Sequence, residues 1–266
     1  MAPLPSSATI ERDSIDVSRP RPHVMLLRNC ATPLGVLRVS VKRAMLEALQ
    51  QAEADQDVRA MVITGTGRAF SVGSDVREFE QSAGWLEQAE AAENALNDYI
   101  ERMRVPVIAA INGHALGGGL VLALACDIRV AAQSAVLGVP EVKVGAFASG
   151  SGTQRLPALV GRGRALHLLL TGETVTGAEA ERIGLVERLA TDERLLDDAL
   201  DLAATIAAMP PLAVSASKRC VNTGMREGWS AGMAMEAEML VPVGLSDDAI
   251  EGQRAFMEKR PARFGN

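Results

Sequence analysis

Chemistry in this sequence could be carried at three places: two glycine-rich turns and one isolated glutamate. The first turn is Phe70-Ser71-Val72-Gly73-Ser74-Asp75 and the second is Asn112-Gly113-His114-Ala115-Leu116-Gly117-Gly118-Gly119. Glycine beside a small residue lets backbone N–H groups come close to a ligand. A glycine run that opens a buried helix also points unpaired N–H donors, reinforced by the helix dipole, at a developing negative charge. Two such donors converging from separate turns make an oxyanion hole, and losing one typically removes about 3–4 kcal/mol of transition-state stabilisation. Glu141 sits in Leu137-Gly138-Val139-Pro140-Glu141-Val142, apolar apart from that one carboxylate. Desolvation in such surroundings raises a carboxyl pKa, which suits a general base near neutral pH. Taken singly, each turn is also what tight reversal and close helix packing require. Glu141 alone is also what a surface carboxylate or a helix-cap partner looks like.

The elements around these residues follow from apolar periodicity. Val24 to Leu27, Ala60 to Thr64, Val107 to Ile111 and Ile128 to Ala132 are short apolar runs of strand length, bounded by Gly or Pro. Ser40 to Ala54 carries Val41, Ala44, Met45, Ala48 and Leu49 on one helical face, and Trp85 to Met103 repeats apolar residues at three- and four-residue intervals. Leu120 to Cys126 reads as a wholly buried helix. Strands alternating with helices favour an α/β fold with right-handed crossovers. From about Asp192 the strands stop, and Leu195 to Met209, Leu212 to Gly224, Trp229 to Val241 and Asp247 to Lys259 read as helices parted by Pro or Gly. The expected organisation is an N-terminal extension over 1–22, an α/β core over 23–191 and a helical segment over 192–266.

Composition narrows the function classes. Hydrophobic residues make up 48% of the 266 and aromatics only 3%, so a substantial core is built from Ala, Val, Leu and Ile. The net charge of −6 argues against nucleic acid as a partner. Cys30, Cys126 and Cys220 are too widely spaced for a zinc site or a disulfide framework and suit a reducing cytosol, so a cytoplasmic protein without a bound metal is expected. The first 22 residues are too charged for a signal or transit peptide. Val105 to Cys126 has no charged residue, yet Asn112, His114 and the triglycine would lie mid-bilayer; strand, turn and helix explain it better, and no membrane association is expected.

Several catalytic signatures are absent. Gly65-Thr66-Gly67 is followed by Phe70, and Gly161-Arg162-Gly163 by Leu166, where a dinucleotide fingerprint needs its third glycine. There is no P-loop, no HExxH and no GxSxG elbow. His167, in the apolar run Ala165 to Leu170, reads as an ordinary helix residue.

Taken together, the two turns and the glutamate, in this order, resemble the crotonase superfamily, the enoyl-CoA hydratases and isomerases. The resemblance is carried by Ile63-Thr64-Gly65 through Phe70, by Gly73-Ser74-Asp75-Val76, and by Pro106 to Gly113 with Ala115 to Gly119. It continues through Cys126-Asp127-Ile128-Arg129, Pro140-Glu141, Gly152-Thr153-Gln154-Arg155-Leu156, Leu170-Thr171-Gly172, Gly184-Leu185-Val186, Lys218 and Glu251-Gly252 to Phe256-Met257-Glu258-Lys259-Arg260. It implies a ClpP/crotonase-like spiral of ββα units whose C-terminal helices build homotrimers or hexamers. It implies that the backbone N–H groups of Ser74 and Gly118 hold the thioester oxygen of an acyl-CoA, as in the enzymes of fatty acid metabolism. Ser74, Asp75, Val76 and Arg77 then line the CoA and acyl entry, and Lys259 meets a CoA phosphate. Coenzyme A is part of the substrate, so no separate cofactor is implied.

Two departures bear on the reaction. A typical hydratase of this family carries two glutamates; the second matches Glu141, while Val121 stands at the position of the first. Ser149 stands where dienoyl-CoA isomerases place an aspartate, and the turn Asn29-Cys30-Ala31-Thr32-Pro33 replaces the usual Asn-x-Pro. One base can shuttle a proton between two carbons of a substrate, whereas adding water with one is harder. The residues therefore lean to double-bond isomerisation over enoyl-CoA hydration, with a weakly catalytic CoA-ester-binding protein as the alternative.

Overall fold

The computed structural model describes residues 14–265. A six-stranded sheet forms the centre, in the order β1 (Ile15–Arg21), β2 (Val24–Asn29), β3 (Ala60–Gly65), β5 (Val107–Ile111), β7 (Ile128–Ala132) and β10 (Arg188–Ala190). From β2 to β10 neighbouring strands are parallel, and β1 joins antiparallel to β2 at the edge. Every residue of β3 and β5 is buried, which explains their unbroken apolar runs: a parallel sheet covered on both faces has no solvent side to alternate with.

A second sheet consists of β4 (Ala69–Ser71), β6 (His114–Leu116) and β8 (Val136–Gly138), the short strands that follow β3, β5 and β7, with β9 (Thr174–Thr176) added at its edge after the helix that β8 leads into. Three units repeat: β3 and β4 lead into α2 (Ala83–Arg102), β5 and β6 into α3 (Gly118–Ala125), and β7 and β8 into α4 (Gly152–Thr171). This is the expected ββα repeat. Asn112 joins the first two units. Its Oδ1 accepts from the Gly65 N–H at 3.0 Å, and its Nδ2 donates to the Gly67 and Ala69 carbonyls at 3.1 and 3.2 Å.

Helix α1 (Val39–Ala54) packs beside α2, and α6 (Leu195–Ala207) covers β3 and β5. Beyond it α7 (Pro211–Glu227) and α8 (Trp229–Gly244) form a hairpin, crossing so closely that a Cβ on Gly232 would lie 2.9 Å from the Gly224 Cα. Lys218 ties α7 to the core. Its buried ammonium donates to the Ile100 carbonyl at 2.8 Å, the Val105 carbonyl at 3.0 Å and Asp127 Oδ2 at 2.8 Å. Helix α9 (Asp247–Glu258) packs chiefly against α8, and α5 (Gly177–Arg182) links β9 to β10.

The four C-terminal helices lie where the Pro and Gly punctuation puts them. The stretch Val105 to Cys126 folds as β5, β6 and α3, and among the described residues no single helix is long and apolar enough to cross a membrane. His167 is a helix residue, its Nε2 2.9 Å from Glu173 Oε2 at the surface. Gly161, at φ +77°, breaks the helical course of α4, so the first glycine of Gly161-Arg162-Gly163 serves a kink.

One correction concerns the extension over 1–22. Its part from Ser14 onward belongs to the core, because Ile15–Arg21 is the edge strand β1; the part before Ser14 lies outside the described residues. The pattern Ile15 to Arg21 hides a strand because most of β1 faces solvent and Pro20 is tolerated there only at an edge.

Candidate active site

The two glycine turns are placed side by side by β4 and β6, which pair in parallel. Gly73 has φ +89° and Gly117 φ +56°, backbone conformations that L side chains rarely adopt. Gly73 is fixed at both ends: its N–H donates to Ser71 Oγ at 3.1 Å and its carbonyl accepts from the Leu37 N–H at 2.8 Å. The Gly117 N–H donates to the Gly138 carbonyl at 2.9 Å. The turns abut so tightly that a Cβ on Gly73 would lie 2.9 Å from the Gly118 nitrogen, and one on Gly119 would strike the Ser71 carbonyl. Beside this contact, the N–H groups of Ser74 and Gly118 find no acceptor among the described residues. Gly118 opens α3, a helix buried almost all round, so its free amide points out of an apolar element.

Glu141 enters from the short helical turn Pro140–Val144, which Gly145 ends in a left-handed conformation. Its Oε1 would lie 3.2 Å from a Cβ on Gly117, and its Oε2 is buried without a hydrogen-bond partner among the described residues. Burial pushes the Glu141 carboxyl above the usual carboxylate range; the negative charge of Glu93 adds to the effect and the residue's own amide opposes it. A half-buried acid with a buried, unpaired oxygen beside two free amides can move a proton on a bound group whose charge those amides hold.

Ser74, Gly118 and Glu141 are thus gathered in one place. The other predicted residues are placed differently. Asp75 is buried, and its carboxylate is taken up by Arg77, through N–H and Nε at 3.1 and 2.8 Å and Nη2 at 2.7 Å, and by Arg38 Nε at 3.3 Å. The Arg77 contacts hold it far below the usual range. Asp75 therefore shapes the turn, while Val76 and the Arg77 side chain stand exposed beside it. Lys259 ends α9 with φ +54° and is exposed. Val121 is fully buried and packs on the start of α4, its Cγ2 2.8 Å from where a Cβ on Gly152 would stand. Ser149 is half-buried in the loop before α4, its N–H given to the Phe147 carbonyl at 2.8 Å. In the replaced turn, Asn29 donates to the Gly35 carbonyl at 2.9 Å, and Gly35 lies against the Phe70 carbonyl.

Sequence reasoning missed two residues that the packing brings in. Lys42, almost fully buried on α1, donates from Nζ to Ser74 Oγ at 3.0 Å and to Glu93 Oε2 at 2.7 Å. Glu93 reaches from α2 to the triglycine, where its Oε1 would lie 3.1 Å from a Cβ on Gly118. Lys42 carried a signal, a cation flanked by Val41 and Ala44 on an apolar helix face. Glu93 carried none that separates it from Glu87, Glu90 and Glu101 on the same helix.

Residues 32–266 match the sequence family described as enoyl-CoA hydratase/isomerase. The chain belongs to the enoyl-CoA hydratase/isomerase family. A Bacillus subtilis (strain 168) protein carrying that family's name is 38% identical over 262 residues, covering 95% of this chain and 98% of its own. The crotonyl-CoA hydratase of Syntrophomonas wolfei is 41% identical over 221 residues, covering 82% of this chain and 85% of its own. The crystal structure of an enoyl-CoA hydratase from Bacillus anthracis superposes with a TM-score of 0.90 at 35% identity, covering 94% of this chain and 98% of that one. The fold is that of the crotonases, as the resemblance in the motifs implied.

Proposed function

We propose that this protein is an enzyme acting on acyl-CoA thioesters, in which the N–H groups of Ser74 and Gly118 hold the thioester oxygen and Glu141 moves a proton on the acyl carbons. One observation carries the reading: two amides without acceptors on abutting turns, beside a carboxylate with a buried, unpaired oxygen. Removing or adding a proton next to a thioester puts negative charge on its oxygen, and fixed N–H donors stabilise that enolate without reorganising. Each donor is worth about 3–4 kcal/mol, and a positioned acid or base about 10²- to 10⁴-fold in rate. Val142, Val144 and Phe147, large apolar residues exposed just after Glu141, suit an acyl chain lying there. Arg77 and Lys259 are exposed cations suited to the CoA phosphates. CoA enters as part of the substrate, and this chemistry needs no further cofactor.

Hydration of a 2-enoyl-CoA and isomerisation of a 3-enoyl-CoA share this enolate. Glu141 alone supports the second, by carrying one proton between the α and γ carbons; the first needs another group to handle water. Purified protein assayed with crotonyl-CoA and with a 3-enoyl-CoA tests the reading. Turnover of at least one is expected, with a loss of about 10²- to 10⁴-fold in Glu141→Gln. Full activity in that variant refutes the role of Glu141. Binding of CoA esters with no turnover of either would favour the alternative suggested by Val121, a CoA-ester-binding protein.

Self-association belongs to the same proposal. Trp229, Leu240, Leu245 and Phe256 on the C-terminal helices and the loop joining them are exposed to 82, 72, 74 and 86%. Apolar surface of that extent suits a homotrimer or hexamer. A sedimentation mass of one chain would refute it.

A further inference from the structure

The buried pair Lys42–Glu93 is not explained by the reading above. Its side chains are 3% and 13% exposed, and a buried ion pair adds little net stability compared with apolar residues of the same volume. It joins three helices at the site: Lys42 on α1, Glu93 on α2 and, against Glu93, Gly118 at the start of α3. Lys42 uses Glu93 Oε2 and Ser74 Oγ, so it fixes the carboxylate and one of the two candidate oxyanion residues together. Glu93 Oε1 accepts no hydrogen bond among the described residues. It lies where a Cβ on Gly118 would stand 3.1 Å away and one on Gly150 2.5 Å away, so both flanking positions are kept clear by glycine. On the neighbouring glycine, Gly117, the same construction meets Glu141 Oε1 at 3.2 Å. Two carboxylate oxygens therefore face the triglycine from two different elements, over consecutive residues.

We propose that Glu93 is the second proton-transfer carboxylate of this site, and that it and Glu141 hold a water molecule for addition across the double bond of a 2-enoyl-CoA. The proposal rests on the oxyanion reading of Ser74 and Gly118 and selects hydration from its two reactions. The water oxygen bonds to the β carbon as the π pair moves through the α carbon onto the thioester oxygen, and Glu93 takes the proton that leaves the water. Glu141, as the carboxylic acid, gives a proton to the α carbon while the enolate pair returns. One proton passing from Glu93 to Glu141 through the next water restores both groups, so the net change is one H₂O added. The burial that raises Glu141 favours its acid form, in keeping with this order. The charged groups around Glu93 are Lys42 from α1, Glu141 from the turn after β8 and, on its own helix, Glu90, whose Oε1 accepts from the Gly150 N–H at 3.2 Å.

The test is steady-state hydration of crotonyl-CoA by the full chain and by Glu93→Gln and Glu141→Gln, with kcat and KM measured separately and Tm recorded for each. In Glu93→Gln, kcat is expected to fall by about 10²- to 10⁴-fold with KM changed by less than about threefold. A Lys42 partner with only a structural role would instead lower Tm or raise KM while leaving kcat within about threefold of wild type, and that result overturns the role of Glu93. If Glu93→Gln does not fold by circular dichroism, Glu93→Asp serves. It keeps the charge but withdraws it by one methylene, and a loss of about 10²-fold is expected. Hydration within about threefold of wild type in the folded variant, while Glu141→Gln is inactive, overturns the role of Glu93 and leaves that of Glu141. A wild-type enzyme that isomerises a 3-enoyl-CoA but does not hydrate crotonyl-CoA does the same. Full activity in Glu141→Gln instead refutes the underlying reading.

Discussion

Replacing Gly73 by alanine tests whether the abutment of the two turns makes the site. At φ +89° the new side chain is strained by about 1–2 kcal/mol, the general penalty of the left-handed region. The Cβ would also stand 2.9 Å from the Gly118 nitrogen and 3.0 Å from the Leu116 carbonyl. Both contacts are backbone, so neither can swing aside as a flexible side chain would, and the turn carrying Ser74 must move away from Gly118. Misplacing one donor by that movement removes about 3–4 kcal/mol of transition-state stabilisation, or about 10²- to 10³-fold in kcat/KM on the substrate that is turned over. Strain alone must be subtracted, and Gly67→Ala does this. Gly67 has φ +68° but its Cβ would meet only the Pro33 carbonyl at 3.6 Å, an ordinary contact. Both variants are expected to lower Tm by about 2–8 °C from strain, measured by calorimetry. Only Gly73→Ala should lose activity. Wild-type kcat/KM in Gly73→Ala would refute the argument that the packed turns set the donors.

Two further outcomes follow from buried charge. Because burial raises the Glu141 pKa in the folded protein, its charged form opposes folding above that pKa, whereas below the unfolded value the group is neutral in both states. Glu141→Gln is therefore expected to melt higher than wild type at pH 8 and equally at pH 4, and an equal or lower Tm at pH 8 would contradict the cause given. Lys218→Met leaves Asp127 without its cation and the Ile100 and Val105 carbonyls without their donor. A loss of about 3–5 kcal/mol in urea unfolding is expected, and a loss below about 1 kcal/mol would show that α7 is held mainly by apolar packing.

The parts of the fold legible in the sequence are those with a local signature. β2, β3, β5 and β7 show as apolar runs because the central sheet is covered on both faces, and the C-terminal helices show through their Pro and Gly ends. The short strands β4, β6 and β8, with three residues each, give no readable period of their own. They came only through the resemblance, as half of each ββα unit. β1 was hidden because an exposed edge strand containing Pro20 has neither an apolar run nor clean alternation.

By itself the sequence determined the α/β class, the family, the two glycine turns and Glu141. Each of these is a property of a few neighbouring residues: an apolar run, a glycine run, one acid among hydrophobes. Only the tertiary structure decided that Val121 packs away on Gly152, that Asp75 is consumed by Arg77 and Arg38, and that Glu93 reaches Gly118 while held by Lys42. Nothing local distinguishes Glu93 from the other acids of α2. Its place is set by how α2 packs between α1 and α3, because which turn of a helix meets its neighbours is fixed by burial across distant parts of the chain rather than by the residues beside it.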